Sequence, residues 1–226
     1  MNICRFILVL AMMPVALTGC SPFTGLVKPD VVVEIGHENK EDLQLIFGRA
    51  RLKEKKGMLA EARDAYQQIL EHDPGHFASL HRLGVIAAQF DQLELALDYL
   101  NQAIGAGSPS QELVGDLSYV QFLAGDLAGS EETCLEALQY DPTNQRIANN
   151  LAMAVGYQGR ISESLDIFRR VASEAEALNN VGFILSQTMQ YEEAKTYFQR
   201  ALDLDPSLKQ SANGLVEILQ YQQASH

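Results

Sequence analysis

Three stretches, YQQILEHDP (residues 66–74), CLEALQYDP (134–142) and FQRALDLDP (198–206), have the same shape. Each carries apolar residues at helical spacing and then stops on Asp-Pro, because proline lacks an N–H and drives the residue before it out of helical backbone. A second set, LHRLGVIA (80–87), IANNLAMAV (147–155) and ALNNVGFIL (177–185), opens helical patterns. Laid in register, the two sets define units at 43–76, 77–110, 111–144, 145–174 and 175–208. Four units are 34 residues long and the fourth is shortened to 30. A period of this length marks one supersecondary unit that buries its apolar face by stacking on the next.

The spacing resembles the tetratricopeptide (TPR) repeat over most of the chain beyond Leu43, which implies an all-α solenoid of five helical hairpins. Paired helices approach closely only where small side chains meet. The eighth position of each unit holds Ala50, Gly84, Ser118, Ala152 and Gly182, and the twentieth holds Ala62, Ala96, Ser130, Ser164 and Ala194. Large apolar groups are expected between hairpins: Tyr66, Leu100, Cys134, Phe168 and Phe198 at one position, Leu83, Leu117, Leu151 and Val181 at another. Cys134 therefore reads as a core residue. Gly57, Gly125 and Gly159 sit at the turn within a hairpin, where a left-handed cap favours glycine, and Asp91 and Met189 replace it in the other two units.

Both ends depart from the pattern. Arg49 and Lys53 stand where the first unit should carry core residues, as suits an end repeat with a wet outer face. The stretch LKQSANGLVEILQYQQ (208–223) repeats the start of a unit without its second helix and reads as a C-terminal capping helix, residues 209–223 of a solenoid spanning 41–223. In the fourth unit VASEAEALNN (171–180) lacks the Asp-Pro stop and predicts a tighter corner. Residues 20–40 show neither the repeat nor a helical period and read as a tether, with VVVEI (31–35) able to dock as a short strand instead.

The chain begins with an apolar run from Phe6 to Leu17 behind a single Arg5. It is too short to cross roughly 30 Å of hydrocarbon as a helix and fits the apolar region of a signal peptide, residues 1–19. Leu17, Thr18, Gly19 and Cys20 resemble the bacterial lipobox, in which the cysteine becomes the first mature residue. The resemblance implies a lipidated Cys20; the alternative is an ordinary signal peptide with a coincidental cysteine. Several acyl chains would hold the protein at a membrane where one gives only marginal binding. Ser21 in place of an aspartate implies, again by resemblance, the outer membrane, with the protein facing the periplasm.

Removing residues 1–19 takes one arginine and no acid, leaving 207 residues with 16 basic and 29 acidic side chains, a formal charge of −13. Such a field disfavours nucleic acid as a partner. With Cys4 in the signal and Cys20 lipidated, Cys134 has no partner for a disulfide. HExxH, GxSxG, CxxC and Walker phosphate-loop signatures are absent, and GAGSPS (105–110) lies at a unit boundary with no strand before it. His72 and His76 are separated by Pro74, which breaks the helix that would align them as ligands. The sequence thus points to a non-enzyme without catalytic residue, metal or cofactor.

By resemblance to other TPR arrays, the second, fifth, ninth, twelfth and thirteenth positions of each unit line a groove. They place Tyr119, Phe122, Met153, Tyr157, Phe183 and Tyr221 there, an aromatic stripe that a partner could cover; packing against neighbouring helices is the competing role. The fifth position holds Asn149, Asn179 and Asn213, whose amides match the N–H and carbonyl of an extended peptide. Their neighbours Asn150 and Asn180 raise the alternative that these amides serve the helices themselves. RARLKEKK (49–56) is a dense basic patch, read as a solvated cap face, or as a contact for anionic lipid or an acidic segment.

The lipobox joined to five repeats, with NNLAMAVGYQGR (149–160) and ALNNVGFIL, resembles the TadD group of lipoproteins of tight-adherence (Flp) pilus assembly. That resemblance implies an outer-membrane scaffold that binds protein segments of an envelope complex and assists a secretin ring. A scaffold for peptidoglycan or cell-division enzymes, or a factor in outer-membrane protein insertion, are the alternatives.

Overall fold

The computed structural model describes residues 40–107 and 109–224. Residues 1–39 lie outside it, and with them the signal-like stretch, Cys20, the segment 31–35 and all but the last residue of the tether. The described residues form eleven helices and no strand. Five hairpins follow one another: α1 (Lys40–Lys55) with α2 (Leu59–His72), α3 (Phe77–Gln89) with α4 (Leu93–Ala106), α5 (Gln111–Leu123) with α6 (Leu127–Tyr140), α7 (Gln145–Tyr157) with α8 (Ile161–Phe168), and α9 (Glu174–Gln187) with α10 (Tyr191–Leu204). A last helix, α11 (Lys209–Ala224), stands without a hairpin partner. The fold is thus the all-α solenoid with a terminal capping helix that the repeat spacing predicts.

Local chemistry sets the helix ends. Asp73, Asp141 and Asp205 all leave the helix at φ between −136° and −133°, the extended backbone that a following proline requires. Each then accepts the amide two residues on, Gly75 at 3.2 Å, Thr143 at 3.1 Å and Ser207 at 2.9 Å, closing the same side-chain turn three times. Within the hairpins, the second residue after the first helix turns left-handed in all five units: Gly57, Gly125 and Gly159 at φ 76°, 84° and 87°, and also Asp91 at 60° and Met189 at 62°. The register dictates that backbone even where the residue resists it.

All ten small positions are buried, and the two serines at the twentieth position add a bond across the crossing: Ser130 Oγ donates to Ser118 O at 2.8 Å and Ser164 Oγ to Ala152 O at 2.7 Å. A Cβ at Gly182 would lie 2.8 Å from the Phe198 ring, and one at Gly214 of α11 would lie 2.6 Å from it. Phe198 is therefore clamped between two glycines, which fixes how closely the last helix docks. Tyr66, Leu100, Cys134 and Phe168, at the same position in the earlier units, are at most 1% exposed. Burial also pushes the Cys134 thiol above its ordinary 9.0, and it remains a free thiol.

Odd-numbered helices pack on one another as well as on their hairpin partners: α3 on α5, α5 on α7, α7 on α9 and α9 on α11. No comparable packing joins the even-numbered helices, so the odd ones form the tighter, inner layer. Buried apolar residues gather in three clusters, around α1–α3, around α3–α5, and a larger one reaching from Cys134 to Ile218. The fourth unit loses its missing residues from α8, which has 8 residues where the other second helices have 14. Its corner is held by Arg169, which binds Asp166 and Glu174, and by a Ser173–Glu176 capping box that starts α9. No described helix is long and apolar enough to cross a membrane.

Candidate protein-binding groove

The inner layer places the sequence-predicted residues in two groups. On α5 and α7, the Tyr119 and Phe122 rings stack at 6.4 Å, and Phe122 meets Tyr157 edge-on at 5.0 Å. Tyr119 is 46% exposed and Phe183, on α9, 44%. Met153 and Tyr157 pack partly against the large core cluster, and burial pushes the Tyr157 phenol up to about 12. Tyr221 is not among these rings: it packs on Tyr191 of α10 at 4.9 Å.

The asparagines do not behave alike. Asn179 Oδ1 accepts from Ser211 Oγ of α11 at 2.9 Å and its Nδ2 donates to Asn180 at 3.3 Å, so it helps hold the capping helix. Asn213 is exposed. Asn149 alone carries a buried side-chain oxygen with no hydrogen-bond partner. An orphaned buried acceptor costs about 1–3 kcal/mol, so a rotation that offers this oxygen to a ligand N–H sacrifices nothing. Its neighbour Asn150 is structural, donating to Gly115 O and to Ser118 Oγ, both at 2.9 Å, and so tying α7 to α5.

A second set of polar residues, unforeseen in the sequence, runs along the amino-terminal part of the same inner layer. Glu54 of α1 accepts from Arg82 of α3, from Tyr66 OH at 2.9 Å and from Arg51 at 3.3 Å. Arg82 also lies 3.7 Å from Glu112, and Asp116 of α5 is held by His81 Nε2 at 2.6 Å and by Arg146 of α7. Burial raises the Glu54 carboxyl, but the Arg82 and Tyr66 hydrogen bonds with the Arg82 and Arg51 charges outweigh it and hold it below 4.5. Burial likewise raises Asp116, and His81 and Arg146 bring it below 3.8. These contacts join residues about one repeat apart, 28 for Arg82 to Glu54 and 35 for His81 to Asp116. That separation was the available signal: opposite charges one period apart face each other across adjacent inner helices.

His81, Glu112 and Asp116 bring one nitrogen and two carboxylates within 4.8 Å of one another. Arg82 and Arg146 already neutralise the two acids, so a cation entering there would meet two guanidinium groups. His76 caps α3, its Nδ1 accepting from Ser79 N at 3.2 Å.

Tetratricopeptide-repeat family models match residues 47–112 and 175–208. Among curated proteins, Tetratricopeptide repeat protein 7B of Homo sapiens is 28% identical over 103 residues, covering 46% of this chain. The chain spans only 12% of the length of that relative. Among solved structures, YrrB, described as a TPR protein with an unusual peptide-binding site, superposes with a TM-score of 0.62 at 21% identity, covering 77% of this chain and 92% of its own. MamA gives 0.60 at 18% identity, over 72% and 91%. A tetratricopeptide repeat protein from Parabacteroides merdae gives 0.64 at 13% identity, over 79% and 72%. The matched segments and the solved structures give this chain a tetratricopeptide-repeat-like fold, and such folds in general serve as non-catalytic scaffolds for protein or peptide partners.

Proposed function

We propose that this chain is a lipid-anchored periplasmic scaffold whose inner face at α5, α7 and α9 holds a segment of a protein partner, and that it assists assembly of a pilus or secretin complex. The observation that carries the binding role is the pairing of half-exposed Tyr119 and Phe183 with the unpartnered amide of Asn149 on adjacent helices of that face. The rings supply affinity by leaving water, and the amide supplies one directional bond of about 1 kcal/mol. YrrB, with its peptide-binding site on a similar fold, supports a peptide-like occupant. The lipobox-like residues 17–20 support the anchor, and the TadD resemblance supports the pathway.

In-cell photocrosslinking from a probe at Tyr119, with a convex-face probe at Glu132 as control, tests the reading. Capture of a secretin or pilus subunit at Tyr119 alone supports it in full; capture of cell-wall synthesis or membrane-insertion proteins keeps the scaffold and discards the pilus. Equal yields from both probes would remove the groove. Cys20→Ala should abolish flotation with outer membrane in a density gradient, and unchanged flotation would remove the anchor.

A further inference from the structure

The outer face of α1 combines two features in one line: exposed leucines, and cations without an acid partner among the described residues. Residues 40–56 hold six Lys or Arg and three Asp or Glu. In contrast, the 63 residues between Arg82 and Arg146 hold ten Asp or Glu and no Lys or Arg. Positive charge is thus gathered at the amino-terminal end of a strongly acidic chain.

Leu45, Arg49, Leu52 and Lys56 recur at steps of four, three and four, which places them on one line along the helix. Lys56 follows the last α1 residue but keeps helical geometry, its N–H donating to Leu52 O at 3.2 Å. Leu45 is 55% and Leu52 59% exposed, and Arg49, Lys55 and Lys56 are exposed as well. Arg51 and Lys53 are taken by Glu54 and Glu61, whereas Arg49, Lys55 and Lys56 meet no acid among the described residues. The opposite side of α1, with Leu43, Ile46, Phe47 and Ala50, is the side that packs into the solenoid.

We propose that this line is a contact surface for anionic phospholipid. An acidic protein segment would satisfy the cations but leave both leucines in water. A lipid surface takes both, with phosphates against Arg49, Lys55 and Lys56 and the leucines at the boundary between head groups and acyl chains. The same surface repels the ten-acid stretch, so it seats the solenoid by its amino-terminal end and keeps α4 to α6 away from the bilayer. The inference stands on residues 40–56 and does not need a lipid on Cys20, so the two fail separately.

Residues 38–226 form one compact unit containing all three core clusters and can be studied without the preceding segment. At low salt this unit should sediment with vesicles of about one-third phosphatidylglycerol in phosphatidylcholine and stay in solution with phosphatidylcholine alone. The triple variant Arg49→Gln, Lys55→Gln, Lys56→Gln should lower partitioning on the order of a hundredfold, about fivefold per cation. Leu45→Ser with Leu52→Ser should lower it by about tenfold. Melting curves equal to the parent would show that both variants are folded. An unbound parent, or a triple variant that partitions like the parent, overturns the proposal. So does charge-dependent self-association in the absence of vesicles, which would assign the face to a second copy of the chain.

Discussion

The first two repeats and the last three share one register but use their inner faces differently. In the sixth position, the second and third repeats place Arg82 and Asp116, each bound to a charge on a neighbouring helix, whereas the fourth and fifth place Asn150 and Asn180. In the ninth position Arg51 and Val85 give way to Tyr119, Met153 and Phe183. The amino-terminal inner face is occupied by its own ion pairs, while the carboxy-terminal one leaves rings and an amide unengaged. A repeat array can therefore divide its work without changing its backbone, because stacking is fixed at the small and large core positions and the inner positions are left to vary.

The comparison can be broken first at the packing that both regions share. Gly182→Leu should cost about 3 kcal/mol or more in urea unfolding, since even a Cβ there meets Phe198; an unaltered midpoint would refute the register. In the charged region, Glu54→Ala should cost about 2–3 kcal/mol, because it strands the largely buried Arg82 guanidinium and the Tyr66 hydroxyl. A cost near zero would show these pairs to be ornamental.

The same region should answer to acid. Glu54 and Asp116 are held below 4.5 and 3.8, so the stability they add is complete above those values and drains away as the pH falls beneath them. Glu54→Gln with Asp116→Asn should flatten the acid limb of a stability–pH profile, and an unchanged limb would place the sensitive groups elsewhere. In the open region, Tyr119→Ala with Phe183→Ala should reduce partner capture by about tenfold or more with little change in melting; a large loss of stability instead would make the rings structural. The smallest effect is expected at a turn: Met189→Gly should add about 0.5–1 kcal/mol by relieving left-handed backbone, and a loss would mean the side chain matters more than the strain.

The fold was legible because its determinants recur. Five small residues at each of two positions, and Asp-Pro three times, identify the hairpins. Even Asp91 and Met189 could be assigned their turn from the glycines that replace them in the other units. The site was less legible because its residues do not recur. Asn149, Asn150 and Asn179 are the same residue type within one repeat and its successor, yet one is unbonded, one ties α7 to α5 and one holds α11. Which partner an amide finds depends on the neighbour one period away, Gly115 and Ser118 for Asn150 and Ser211 for Asn179. Tyr221 follows the same rule, its ring settling on Tyr191 of the hairpin before it.

Cys134 fills, with a small thiol, a core position given to Tyr66, Leu100, Phe168 and Phe198 in the other hairpins, and it is the single cysteine of residues 38–226. Its sulfur reacts with a probe only when the third hairpin parts from its neighbours. The rate of its labelling is therefore an internal clock for opening at the middle of the array, where the ion-paired and open regions meet. Run with and without a bound partner, that clock would show whether occupying the inner face holds the outer helices shut.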